Sequence, residues 1–208
     1  MTGAILAGGH SRRMQGLDKT RLEREGRRVL ERQVELLRGL CGDVLLLARE
    51  EQAPELEALN LAPVLADLFP GTGPLGGLYT ALEDTEDEIL LLACDMPFVE
   101  ANLLQRLIDG LKAQPKLFAL LPRSPDRQTG AAPWQAEPLC AVWSRLCRRP
   151  AYMALEAQEL SLTRFAESLR AAYLDLTPDE ARQMYNVNTR SELQDERLRL
   201  PDPPGTPV

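Results

Sequence analysis

Aromatic residues make up only 5% of this 208-residue chain, and it has a single histidine. The core must therefore rest on Leu, Val, Ala and Ile, and a hydrophobic content of 44% suffices for one sizeable core. The lone His10 has no triad partner in view and is assigned no chemistry. Cys41, Cys94, Cys140 and Cys147 form no C-x-x-C pair, which argues against a structural zinc site. Cys94 and Cys140 lie in apolar runs and read as buried small residues. No apolar stretch approaches the roughly 20 residues of a membrane span. The opening MTGAILAGGH lacks the basic and apolar regions of a signal peptide. The expectation is a reduced, cytoplasmic protein that contacts no membrane. Excess positive charge is also missing, the formal net charge being -7. That argues against a nucleic-acid partner, whose phosphates would need neutralising. A small anionic ligand stays open, because local charge decides its binding. One segment is basic: Arg12, Arg13, Lys19, Arg21, Arg24, Arg27 and Arg28. Beyond Arg21 it reads as a solvated helix face balanced by Glu23, Glu25 and Glu31.

Short apolar runs alternate with longer amphipathic segments. Strands are expected at 3–6, 43–48, 63–66 and 88–94, and helices at 29–40, 54–61, 75–82 and 100–113. The strand runs are continuously apolar rather than alternating, which suits a parallel sheet covered on both faces. The fold class is therefore α/β, a three-layer sandwich around a mainly parallel, Rossmann-like sheet. Further strands are expected at 118–121, 139–143 and 172–176. Helices are expected at 150–158, 161–169 and 191–198. Residues 122–138 read as a long loop rich in Pro, Gly, Ser and Gln. Residues 1–198 form one domain, and the Pro-rich tail 199–208 reads as disordered.

In open α/β sheets ligands sit beyond the carboxyl ends of the strands, so the loops after Leu6, Ala66 and Cys94 are the places to search. Leu6 and Ala7 lead into Gly8 and Gly9. Paired glycines allow positive φ and close approach of the backbone to a ligand, and successive amides there form an anion-accepting nest. A tight turn alone would use the same glycines. No Gly-Lys-Ser/Thr follows, so this is not a Walker loop. Arg13 and Lys19 add positive charge at the same sheet end, although Arg13 also suits pairing with Asp18, and Lys19 an ordinary helix start. Asp95 directly follows EILLLAC. It serves equally as a helix cap or as a carboxylate holding magnesium with few protein ligands. Asp67 ends a strand beside the same region and fits a loop cap or a nucleotide contact. Gly76 and Gly77 suit close packing at a helix start. Asn186 and Asn188 alternate as on one face of a strand, or form a turn.

The full string L-A-G-G-x-S-x-R-M-x-G-x-D-K over residues 6–19 resembles the signature of the molybdenum cofactor guanylyltransferases, the MobA family of nucleotidyltransferases. Asp67, Gly73-Pro74-Leu75-Gly76-Gly77, Cys94-Asp95-Met96-Pro97 and Asn186-Val187-Asn188-Thr189 resemble further family motifs in the same order. The resemblance spans residues 2–198 and is thin between 117 and 185. It implies a nucleotide-diphospho-sugar-transferase-like fold and transfer of GMP from GTP to molybdenum-bearing molybdopterin. It also implies magnesium on Asp95 and a nucleotide site of Leu6, Ala7, Gly8, Gly9, Lys19, Asp67, Gly76, Gly77 and Asp95. Lys19, Asp95 and Arg13 would be catalytic, and Asn186 and Asn188 would bind the acceptor. Transient contacts with molybdenum-insertion and cofactor-delivery proteins follow from the same resemblance. The chain departs from the family at Gln15, commonly glycine, and near Leu47, where some members carry a nucleotide-binding asparagine. Two other readings stand beside this one. A CTP-using sister enzyme would tend to read L-A-A-G at 6–9. A non-catalytic nucleotide-binding delivery protein could share the fold.

Overall fold

The computed structural model describes residues 1–8, 19–24, 26–125 and 134–187, with Lys19 described by its backbone. The opening strand β1 (Thr2–Leu6) is followed by a small ribbon, β2 (Glu23–Arg24) and β3 (Arg27–Arg28). Then come α1 (Val29–Arg38), β4 (Asp43–Ala48), α2 (Ala53–Glu57), β5 (Val64–Ala66), α3 (Pro74–Asp84), β6 (Ile89–Ala93) and α4 (Ala101–Lys112). The second half holds β7 (Ala119–Ser124), β8 (Gln135–Ala136), β9 (Cys140–Trp143), α5 (Arg148–Glu156), α6 (Leu162–Ser168), β10 (Ala171–Asp175) and α7 (Pro178–Gln183).

The main sheet runs β10-β7-β9-β6-β1-β4-β5, with β8 paired to β7. β1 is parallel to β4 and β6, β4 to β5, and β7 to β10; only β8 and β9 run antiparallel to their neighbours. The expected three-layer α/β sandwich is therefore what the chain builds. Its apolar strand runs have a direct physical reason. Ile5, Leu46, Leu90 and Leu92 enter one core with Leu30, Val34, Leu37, Leu103 and Leu107 of α1 and α4. The alternate positions Ala4, Leu47, Ile89 and Leu91 enter a second core with Leu75, Leu78, Leu82, Ala151 and Phe165 of α3, α5 and α6. Period-two alternation becomes invisible when both faces are buried. Helix α4 shows the opposite case, with Leu103, Leu104, Leu107, Ile108 and Leu111 forming one buried stripe.

Four expectations change. Arg24, Arg27 and Arg28 lie on the β2–β3 ribbon rather than a helix face; the chain turns at Gly26, whose φ of 75° favours glycine. Arg24 is not simply solvated, since its guanidinium lies 4.8 Å over the Phe98 ring and donates to Pro97 O at 3.4 Å. Residues 122–124 belong to β7 instead of a loop, because Gln135 and Ala136 return to pair with Ser124 and Arg123. Helix α7 is additional, started by a reciprocal capping box between Thr177 and Glu180. Finally, residues 185–187 adopt no strand. Loop residues 126–133, the helix expected at 191–198 and the tail lie outside the described residues. Among the described residues no helix is long and apolar enough to cross a membrane.

Candidate functional site

Parallel strands deliver their carboxyl ends to one edge, and the register shows which residues meet there. Leu6 pairs with Leu47 on one side and Ala93 on the other, and Ala48 pairs with Ala66. Gly8, Asp67 and Asp95 thus leave neighbouring strands together. Backbone bonds extend the ladder past the strand ends. Ala7 N and Gly8 N both donate to Leu47 O, at 2.8 and 3.1 Å; Asp67 N donates to Ala48 O at 2.9 Å, and Cys94 N to Leu6 O at 3.2 Å.

Glycine at position 8 is required by contact. A Cβ there would fall 2.9 Å from Arg49 N and 3.3 Å from Ala48 C. Its φ is not in the left-handed region, so close approach, rather than a special dihedral, explains the residue. Gly9 and Arg13 lie outside the described residues, as does the Lys19 side chain. Gly76 and Gly77 sit in the first turn of α3, which begins after Gly73 (φ 68°) with Pro74 and no side-chain cap. A Cβ on Gly77 would lie 2.5 Å from Leu6 Cδ2, 3.7 Å from Leu47 Cδ1 and 3.8 Å from Asp67 Oδ1. The positive end of α3 therefore packs onto the strand ends, where it favours an anion. Leu47 is 1% exposed and belongs to the core beneath α3; it presents no polar group to a base.

Asp67 is half-buried, and burial pushes its carboxyl up to about 6 despite the opposing pull of Arg49; Glu51 adds to the rise. The folded chain therefore favours the protonated form. Ionisation costs stability above about pH 6, and that cost disappears as pH falls toward the ordinary carboxylate value of 3.8. Asp67→Asn is accordingly expected to raise the melting temperature at pH 7.5 and to leave it unchanged near pH 3.5. An equal shift at both pH values, followed by circular dichroism, would contradict this account.

Asp95 is 7% exposed. Its turn is held from three sides. Met96 N donates to Ala93 O at 3.3 Å, and Val187 N donates to Asp95 O at 2.8 Å. Gln33 of α1 donates from Nε2 to Ala93 O (2.9 Å) and Met96 O (3.2 Å). The Val187 bond places Asn186 next to the Asp95 turn, and among the described residues it is one backbone link rather than a ladder. Val187 is buried with Leu22, Val29 and Phe98. Asn188 lies outside the described residues. Beside Asn186 a pocket of about 360 Å³ opens, lined also by Arg123, Ser124, Gln135, Glu137 and Met184.

The residue set fits magnesium of one kind. Among the described residues no group of three or more His, Cys, Asp or Glu gathers to cage an ion. Magnesium shared with substrate phosphates needs only one or two carboxylates, and the hard oxygens of Asp95 at the strand end suit it.

Two site residues escaped sequence reasoning. Arg49 follows β4 directly; it bonds Glu51 at 2.6 Å and Gln52 at 3.1 Å, and its charge acts on Asp67. The strand-end rule that selects Asp67 and Asp95 selects Arg49 as well. Gln33 occupies a helical core position among Leu30, Val34 and Leu37, and a polar residue on an apolar stripe was the available signal.

A family model described as the MobA-like NTP transferase domain matches residues 3–173. A probable molybdenum cofactor guanylyltransferase of Chloroflexus aggregans is 35% identical over 207 residues, covering 97% of this chain and 90% of that one. A second, from Bacillus licheniformis, is 33% identical over 196 residues, covering 92% and 93%. The crystal structure of molybdopterin-guanine dinucleotide biosynthesis protein A from Archaeoglobus fulgidus superimposes with a TM-score of 0.77 at 26% identity, covering 95% of this chain and 96% of that one. The 2-C-methyl-D-erythritol 4-phosphate cytidylyltransferase of Thermus thermophilus shares the fold, with a TM-score of 0.67 at 15% identity and coverage of 92% and 94%.

Proposed function

Because this chain belongs to the MobA-like NTP transferase domain family of nucleotidyltransferases, we propose that it transfers GMP from GTP to molybdenum-bearing molybdopterin and releases pyrophosphate. The observation that carries the reading is the convergence of Gly8, Asp67 and Asp95 on one sheet edge, with the start of α3 packed against it. Such an edge suits an anionic nucleotide. The names of the relatives supply the base and the acceptor.

In the proposed reaction an oxygen of the acceptor's terminal phosphate attacks the α-phosphorus of GTP. The bond from that phosphorus to the bridging oxygen of the β-phosphate breaks, and pyrophosphate leaves with the electron pair. The protein's task is positioning and charge neutralisation. The amides that follow Gly8, beginning with that of Gly9, cradle phosphate oxygens, while Gly8 N stays bonded to Leu47 O. Lys19 and Arg13 neutralise the triphosphate and the leaving pyrophosphate. Asp67, Gly76 and Gly77 face the nucleoside. Asp95 would hold magnesium, which when bound would supply Lewis-acid charge neutralisation at the phosphates. Asn186 and Asn188 bind the acceptor, for which the pocket beside Asn186 has room. The finished dinucleotide cofactor would pass through transient contacts with cofactor-delivery proteins.

The test is pyrophosphate release with GTP, CTP and ATP against molybdopterin, with and without magnesium. GTP is expected to exceed both rivals by at least about a hundredfold in kcat/KM, a discrimination within reach of a site that hydrogen-bonds its base. Faster turnover with CTP would overturn the guanylyl assignment. GTP binding without turnover would favour a delivery or sensing role.

A further inference from the structure

The turn that carries Asp95 buries several carbonyl groups, and buried carbonyls need donors. Ala93 O receives Met96 N and Gln33 Nε2, Met96 O receives Gln33 Nε2, and Asp95 O receives Val187 N. Gln33 is 3% exposed and is the one polar side chain among the buried residues of α1. A buried amide at a core position costs free energy unless it is bonded. Its orientation is determined, because turning the amide over would set Oε1 against two carbonyl oxygens. Oε1 itself makes no hydrogen bond among the described residues. Both hydrogen bonds that the Gln33 side chain donates thus go to the residues that bracket Asp95, two positions before it and one after.

We propose that Gln33 is a positioning residue for the transfer reaction: it acts through the 93–96 turn to hold the Asp95 carboxylate at the strand end. The inference rests on the reading of Asp95 as the charge-organising residue of the site. Among the described residues the hydrogen bonds of the Gln33 side chain go to the 93–96 turn, so it governs the chemical step more than nucleotide affinity.

Gln33→Met tests this, since it keeps the length and apolar stem and removes both donated bonds. Val34→Ala is the companion variant. It truncates a buried neighbour on the same helix, in the core that also holds Ala93, Cys94 and Met96, and leaves both hydrogen bonds from Gln33 in place. Gln33→Met is expected to lower kcat about tenfold or more, given that ångström-scale misplacement costs up to ~10²-fold, while KM for GTP changes by less than about threefold. Amide hydrogen exchange over residues 94–99 is expected to quicken in Gln33→Met alone, with β4 unchanged. Parental kcat and exchange in Gln33→Met would overturn the proposal, as packing alone would then explain the residue. An equal fall of kcat in Val34→Ala would overturn it too. If the parent protein transfers no GMP, the guanylyl reading fails, and the exchange comparison still decides whether Gln33 holds the turn.

Discussion

Asp95→Asn is expected to lower kcat for GMP transfer at least about a thousandfold while the protein stays folded. The substitution keeps the shape of the side chain and removes its charge. A unit charge about 4 Å from its partner is worth about 4 kcal/mol at an effective dielectric of ~20, which corresponds to roughly three decades of rate. The fold is expected to tolerate the change because the turn is shaped by hydrogen bonds to its main-chain carbonyls. Val187 N bonds the carbonyl of Asp95, and Gln33 bonds the carbonyls of Ala93 and Met96. Desolvating a neutral amide at a position 7% exposed costs less than desolvating a carboxylate. Unfolding free energy from urea titration should therefore stay within about 1 kcal/mol of the parent. Pyrophosphate release within tenfold of the parent would remove Asp95 from the mechanism. A collapse of stability would instead make it a structural residue.

The same turn illustrates what the amino-acid order makes legible. Asp67 and Asp95 are findable because each ends an apolar run, and the strand-end rule needs only the position of those runs. The strands at 43–48 and 88–94, and helices α1, α3 and α4, follow from long, strongly patterned segments. The misses have local causes. The ribbon at Glu23–Arg24 and Arg27–Arg28 has two residues on each side, too few to show alternation, and its arginines imitate a solvated helix. Pro122 disguises the end of β7 as loop, although its carbonyl still accepts from Glu137 N at 2.9 Å. Helix α7 has six residues, too short for a period, and only the Thr177–Glu180 cap announces it. Gln33 was hidden for a different reason. Periodicity scores it as an imperfection in an apolar face, while its role depends on carbonyls 60 and 63 residues further along the chain.

Gly8→Ala is expected to raise KM for GTP between about tenfold and a hundredfold and to destabilise the fold by ~1–3 kcal/mol, the usual range for overpacking. The added methyl carbon would meet Arg49 N at 2.9 Å, with Ala48 C and Cα at 3.3 Å. These are backbone atoms, so no side chain can swing aside. Strand β4 cannot retreat easily, because Ala48 O accepts from Asp67 N and its residues pair with β1 and β5. The glycine loop cannot retreat without stretching the bonds from Ala7 N and Gly8 N to Leu47 O. The strain must therefore appear where the chain leaves β1, and under the proposed function a shift there of a few tenths of an ångström to one ångström would weaken the amide contacts to a triphosphate. Gly42→Ala provides the contrast. Its new carbon would meet only Met1 O, at 4.0 Å, at the amino end of β4, opposite the carboxyl ends that form the site. That variant should keep the parental KM. If Gly8→Ala binds GTP as tightly as the parent by isothermal calorimetry, close packing of Gly8 against β4 is not what shapes the nucleotide loop. If both glycine variants lose affinity equally, the effect belongs to the fold at large and the strand-edge site loses its support.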